Sequence, residues 1–234
     1  MRHFAIVLLA LLAFASPSMQ AASASDEYLI VSGGVSLHQW EKWKAAPHDN
    51  WWMNFVRASR IRIQELRAQQ GPAANITWLV YKSAYVTRSK QEGGNDLIGN
   101  IESVRDAYGV KLVFFDRTAQ LIDYINNGQP RDQVKISGLE YFGHSNKACL
   151  MFDYSNNIDS ASKVWLHENE LKQIRRGIFA RDAFVKSWGC HTGESMAKKF
   201  RSATGVPMWG AIGKTQYRTE ELPFLSTAGG RWVR

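Results

Sequence analysis

"DAFVKSWGCHTGESMAKKF", residues 182–200, is an apolar run that halts at a glycine and passes into a helical pattern. Residues 182–188 read as a buried strand. Beyond the turn, Met196, Ala197, Phe200 and Ala203 recur three to four apart, which predicts a helix over 193–205. Cys190, one of only two cysteines in the chain, occupies the junction. A strand that feeds directly into a helix is the building unit of a parallel sheet, so this stretch sets the expectation for the whole chain.

The same alternation runs outward in both directions. "YLIVSGG" (28–34) ends a strand in a glycine turn, and the run from Asn50 to Gly71 carries Trp52, Phe55, Val56, Ser59, Ile63 and Leu66 at helical spacing. "NITWLVY" (75–81) is a second strand. "SAYVTRSKQEGG" (83–94) reads as a polar link, "NDLIGNIESVRDAYG" (95–109) as a helix, "VKLVFFD" (110–116) as a strand and "TAQLIDYINNG" (118–128) as a short helix. "QVKISGLEYFGH" (133–144) is the strand that delivers His144, "ACLMFDYS" (148–155) returns beside it, "WLHENELKQIRRG" (165–177) reads as a helix, and "VPMWGAIG" (206–213) is the last core strand. Strands separated by helices predict an α/β fold: a three-layer sandwich with a mostly parallel sheet and helices on both faces.

Met1 to Ala24 has a short basic start, an apolar run over 4–15 too short to cross a bilayer, and small Ala-x-Ala residues suited to cleavage. Residues 1–24 are therefore expected to be a secretory signal peptide, with one domain over 25–234, no transmembrane segment in the mature chain, and an exported location, periplasmic or secreted. The formal charge of +8 loses Arg2 with the leader. Its remaining basic residues are scattered, as in "VRASRIRIQELR", and form no basic-aromatic stripe, so no specific nucleic-acid partner is expected. "SGGVS" (32–36) lacks the Lys-Ser/Thr ending of a phosphate loop and the spaced glycines of a dinucleotide site, and no cofactor is expected. His38, His167, and the tryptophans at 40, 43, 51 and 52 read as surface and packing residues.

His144 and Cys190 each follow an apolar strand. In a parallel sheet both emerge at the same edge, although 46 positions separate them. A thiol at a helix start feels the positive end of the peptide dipoles, and a nearby imidazolium favours the thiolate further. His144 then returns a proton to the leaving amine. Gly143, Gly189 and Gly193 permit tight turns, and the N–H groups of Ser145 and Cys190 are candidate oxyanion donors. The competing assignment is a Cys149–Cys190 disulfide, which closes a loop of about 40 residues and contributes roughly 3–4 kcal/mol. A zinc site from His144, Cys149, Cys190 and His191 is disfavoured, because adjacent ligands at 190 and 191 point apart and the spacings match no common site.

A hydrophobic strand ending in His and, some fifty residues later, a hydrophobic strand ending in Cys resembles the caspase-like cysteine peptidases, the CHAT domains among them. "GCHTGES" (189–195) is similar to their Cys-x-Thr-Gly turn, and the likeness extends over about residues 28–213. The resemblance implies a caspase-like sheet, His144 as general base and acid, Cys190 as nucleophile, and peptide or protein substrates hydrolysed through an acyl-enzyme. Two positions depart from the family pattern. Ser145 stands where glycine usually follows the histidine and brings a Cβ toward the oxyanion site, and Trp188 stands where small residues are usual. The alternative function is a non-catalytic secreted binding or scaffold module of the same fold, stapled by Cys149–Cys190; an exported acyl-transfer or hydrolytic toxin is a third.

Overall fold

In the computed structural model, residues 26–35, 53–154, 162–218 and 220–234 are described. The leader, the Asn50 cap, His38 and the tryptophans at 40, 43, 51 and 52 lie outside the described residues. β1 (Glu27–Ser32), β2 (Ile76–Tyr81) and β3 (Lys111–Phe115) alternate with α1 (Asn54–Gln70), α2 (Lys82–Gln91) and α3 (Leu97–Tyr108). α4 (Thr118–Asn127) leads into β4 (Ile136–Phe142). β5 (His144–Ser145), β6 (Cys149–Asp153) and β7 (Val164–His167) form a small antiparallel sheet of their own. The chain then re-enters the main sheet through β8 (Phe179–Ser187), α5 (Met196–Thr204) and β9 (Met208–Ile212); β10 (Thr215–Gln216) and β11 (Phe224–Leu225) pair with each other, and β12 (Arg231–Val233) ends the series.

The central sheet has seven strands in the order β12-β9-β8-β4-β1-β2-β3. Every pairing is parallel except β12 with β9. This is the α/β, mostly parallel arrangement expected from the alternation of strands and helices. β1 and β2 are buried along their whole length, which is why they read as unbroken apolar runs and not as alternating ones. Side chains of β1 point alternately into two cores. Leu29 and Val31 meet Leu121, Ile122 and Ile125 of α4 in a core that also holds Phe200 of α5. Tyr28 and Ile30 belong to the core that contains Phe55, Ile63 and Leu66 of α1 with Leu97 and Ile101 of α3.

Two segments depart from the sequence reading. Residues 82–91, expected as a polar link, form α2, because Ala84, Tyr85 and Arg88 fall on one buried face and the Tyr85 hydroxyl donates to the Gly33 carbonyl at 2.9 Å. Residues 165–177, expected as a helix, contain strand β7 and a single 3₁₀ turn at Leu171–Gln173. Here pairing with β6 overrides helical spacing: Leu166 lies opposite Leu150, and Glu170 Oε2 accepts the His167 N–H at 2.7 Å. Arg175 and Arg176, at the end of this segment, donate to the terminal carbonyls of helices elsewhere in the chain. Arg175 reaches Asn126 O at the end of α4, while Arg176 reaches Ser202 O and Ala203 O of α5 at 2.6 and 2.9 Å.

β4 and β8 are neighbours, with Tyr141 paired to Ser187. His144 stands three residues past the first of that pair and Cys190 three past the second. The register therefore carries both residues to the same rim at the same level.

Candidate active site at the β4 and β8 carboxyl ends

The two strand ends are held side by side by hydrogen bonds. Ser145 Oγ donates to the Cys190 carbonyl at 2.7 Å, and Trp188 N donates to Tyr141 O at 2.9 Å. Two of the expected turn glycines are needed for this approach. A Cβ on Gly189 would lie 2.1 Å from Ser145 Oγ, and one on Gly143 would lie 2.2 Å from the Tyr141 hydroxyl oxygen. Gly193 serves elsewhere: its N–H donates to Ala211 O at 2.9 Å, and a Cβ there would meet Val233 and the Gly210 carbonyl. Ser145 does not leave its side chain free to obstruct the site, because that side chain is committed to the Cys190 carbonyl.

The His144 ring sits in an aromatic enclosure. Phe55 meets it edge-on with centroids 4.9 Å apart, and Tyr154 lies at 4.7 Å. Tyr217 packs against Phe55 at 5.0 Å and accepts the Gly143 N–H at 3.1 Å. Burial pushes the Tyr154 and Tyr217 hydroxyls up from the usual phenol range, and the Cys190 sulfur adds to the shift in both. The two phenols, Tyr154 against the imidazole and Tyr217 behind Phe55, therefore also sense the thiol electrostatically, and both stay protonated near neutral pH.

Cys190 Sγ faces Thr215. The Thr215 N–H points to it at 3.4 Å and Thr215 Oγ1 lies at 3.6 Å, while that hydroxyl donates to Trp188 O at 2.8 Å. The backbone N–H of Cys190 itself makes no hydrogen bond to the described residues, which leaves it available to a ligand oxygen. His191, next in sequence, is the one non-glycine residue at positive φ (+62°) among the described residues, and its Nδ1 lies 2.6 Å from Glu194 Oε1. Hydrogen bonding to His191 holds the Glu194 carboxyl below its ordinary range. Left-handed backbone at a non-glycine residue costs of order 1–3 kcal/mol and concentrates at functional turns.

Cys149 and Cys190 both carry free thiols. Cys149 lies across β6 and β7 from His167, and with His167, His191 and Glu194 it lines an open groove of about 470 Å³. Burial, with Glu168 and Glu170 close by, pushes the Cys149 thiol up, so it stays protonated where a nucleophile would have to ionise. Among the described residues, no three His, Cys, Asp or Glu side chains gather in a way that would hold a metal ion, and no helix is long and apolar enough to cross a membrane.

No family model, curated protein or solved structure matches the chain. The site therefore has to be judged on its own geometry. Thr215, Tyr154 and Tyr217 were not singled out from sequence. Thr215 had a usable signal, since it follows β9, the parallel neighbour of β8, and so arrives at the same rim. The tyrosines had none, because β6 and the segment after β10 reach the site only through tertiary packing.

Beneath the Cys190 turn, Lys186 Nζ lies 3.3 Å from the Trp188 ring centroid and 4.0 Å from that of Trp232. Burial lowers its pKa to about 8, against an opposing pull from Glu140. A lysine depressed below its unfolded value is disfavoured by the fold while charged, so its contribution to stability rises as pH climbs from about 8 toward the unfolded value near 10.4. Between pH 7 and pH 10 the wild type should gain urea resistance relative to Lys186→Met, the difference in midpoints being the quantity measured. An unchanged difference would mean that the amine is fully solvated.

Proposed function

We propose that the chain is a cysteine peptidase of caspase-like, three-layer architecture, exported after loss of its leader, in which His144 and Cys190 hydrolyse peptide bonds. The observation that carries this reading is the register of β4 against β8, secured by the Ser145 hydroxyl on the Cys190 carbonyl. It brings imidazole and thiol to one rim from segments far apart in sequence.

His144 takes the proton of the Cys190 thiol, and the thiolate attacks the peptide carbonyl, forming a C–S bond while the electron pair moves to oxygen. The Cys190 N–H, with that of Ser145, faces the developing oxyanion. Collapse breaks the C–N bond, and the imidazolium gives its proton to the leaving amine. Water, losing a proton to His144, then cleaves the thioester and releases the acid with restoration of the thiol. No metal or organic cofactor takes part in this sequence.

Iodoacetamide labelling read site by site by mass spectrometry tests the pair. Cys190 should react faster than Cys149 at pH 7, by about tenfold or more, because burial and the nearby Glu168 and Glu170 hold the Cys149 thiol protonated while His144 serves Cys190 as a base. His144→Ala should slow Cys190 alone. Equal labelling of both thiols, insensitive to His144, would remove the basis for the dyad.

A further inference from the structure

We infer that Glu140 is a positioning residue for Cys190, acting through the indole of Trp188. The inference rests on the reading of Cys190 as the nucleophile. Glu140 lies in the middle of β4 with none of its surface exposed, four residues before His144, and a carboxylate there needs a reason. Its two oxygens are divided. Oε1 accepts from the Tyr28 hydroxyl and from Arg62 Nε, which reaches it from α1. Oε2 accepts the Trp188 indole N–H at 2.7 Å.

Trp188 is the residue that converts β8 into the nucleophile turn. Its ring stacks on Phe142 at 5.8 Å with an interplanar angle of 10° and meets Trp232 edge-on at 5.4 Å, so the carboxylate fixes one end of a tightly held plane. Its carbonyl accepts the Thr215 hydroxyl at 2.8 Å, and the same threonine presents its N–H and Oγ1 to the sulfur. A continuous path thus runs from a buried anion through the indole and the Trp188 carbonyl to Thr215 and Cys190 Sγ. Every link is a directional hydrogen bond or a near contact to sulfur. The same path accounts for a tryptophan at a position where the resemblance leads one to expect a small residue: only a long side chain with an N–H spans from the Cys190 turn to the buried carboxylate.

Tyr28 provides the contrast. Its hydroxyl donates to the other oxygen and makes no hydrogen bond to Trp188 or Thr215, so losing it weakens the anion's surroundings without releasing the indole.

The test is the second-order rate of Cys190 alkylation by iodoacetamide, resolved from Cys149 by mass spectrometry, with urea midpoints measured in parallel. Trp188→Phe keeps the ring and loses the N–H. Glu140→Gln keeps the shape but leaves one acceptor oxygen for three donors. Each should slow alkylation about tenfold, as expected for neighbours in one network, and the double variant should be no slower than either alone. Tyr28→Phe should lower the urea midpoint and leave the rate within twofold of wild type. If Glu140→Gln does not fold, Trp188→Phe against Tyr28→Phe decides alone. Rates within twofold of wild type in folded Trp188→Phe, or slowing by Tyr28→Phe equal to that of Trp188→Phe, would overturn the assignment and leave Glu140 a stability element. Because the readout is alkylation, it stays informative if the protein proves to cleave no peptide: absent hydrolysis with intact coupling refutes the peptidase reading, and uncoupled alkylation with hydrolysis refutes this one.

Discussion

Cys190→Ala is expected to leave the protein folded and to reduce hydrolysis of a mixed peptide library by on the order of 10⁴ or more, the scale seen when a nucleophile is removed from a cooperating catalytic unit. The reason for intact folding is local. Cys190 is partly exposed, sits in a turn outside any helix or strand, and its sulfur meets Thr215 at distances of 3.4 to 3.7 Å that contribute little to stability. The turn itself is held by groups the substitution keeps: the Cys190 carbonyl on Ser145, and the His191 N–H on Gly213 O at 2.8 Å. Cys149→Ala, by contrast, should retain most of the activity, since that thiol is held protonated by burial and by Glu168 and Glu170. New amino termini in the library, counted for both variants and the wild type, provide the measurement. Equal cleavage by wild type and Cys190→Ala would show that any hydrolysis arises elsewhere.

The largest stability effect is expected far from that rim, at Arg131→Met. Arg131 and Glu27 are both buried, with Nη1 and Oε2 2.7 Å apart. Arg131 also donates to Ile125 O and Tyr124 O at 2.9 and 3.2 Å, meeting carbonyls at the end of α4. Removing it strands the Glu27 carboxylate at the start of β1, where, among the described residues, the hydroxyls of Thr77 and Tyr124 remain as donors, at 2.5 and 2.8 Å. Breaking one half of a buried pair costs about 3–5 kcal/mol, because the partner charge is left uncompensated. Urea denaturation followed by circular dichroism should show a loss in that range. Glu27→Gln combined with Arg131→Met should recover part of it, since the amide removes the orphaned charge. A loss below about 1 kcal/mol would mean that water reaches the pair. Alkylation of Cys190 in the folded variant should be unaffected, as the pair lies at the opposite ends of the strands from the thiol.

His144 and Cys190 were legible as a pair because each ends an apolar strand, and parallel strands put their ends on one edge. Ser145 was legible as a backbone oxyanion donor whose side chain obstructs the site. Its actual engagement, donating to the Cys190 carbonyl, depends on the distance between two strand ends, which no local pattern encodes. The segment 165–177 shows the opposite failure. Its spacing suits a helix, yet β6 offers backbone partners that a helix would leave unpaired, and the sheet wins.

What the amino-acid order determined by itself is the alternation of buried strands and amphipathic helices, and with it the α/β class, because periodicity and turn residues act within a few positions along the chain. Tertiary structure alone decided which strands are neighbours, that Tyr154 packs on His144 and Tyr217 on the adjoining Gly143 turn, and that a glutamate in the middle of a strand lies against the indole of Trp188. Those contacts join residues tens of positions apart. They exist only once burial of apolar surface has fixed the order of the sheet, and the buried polar groups must then find partners wherever that order has put them.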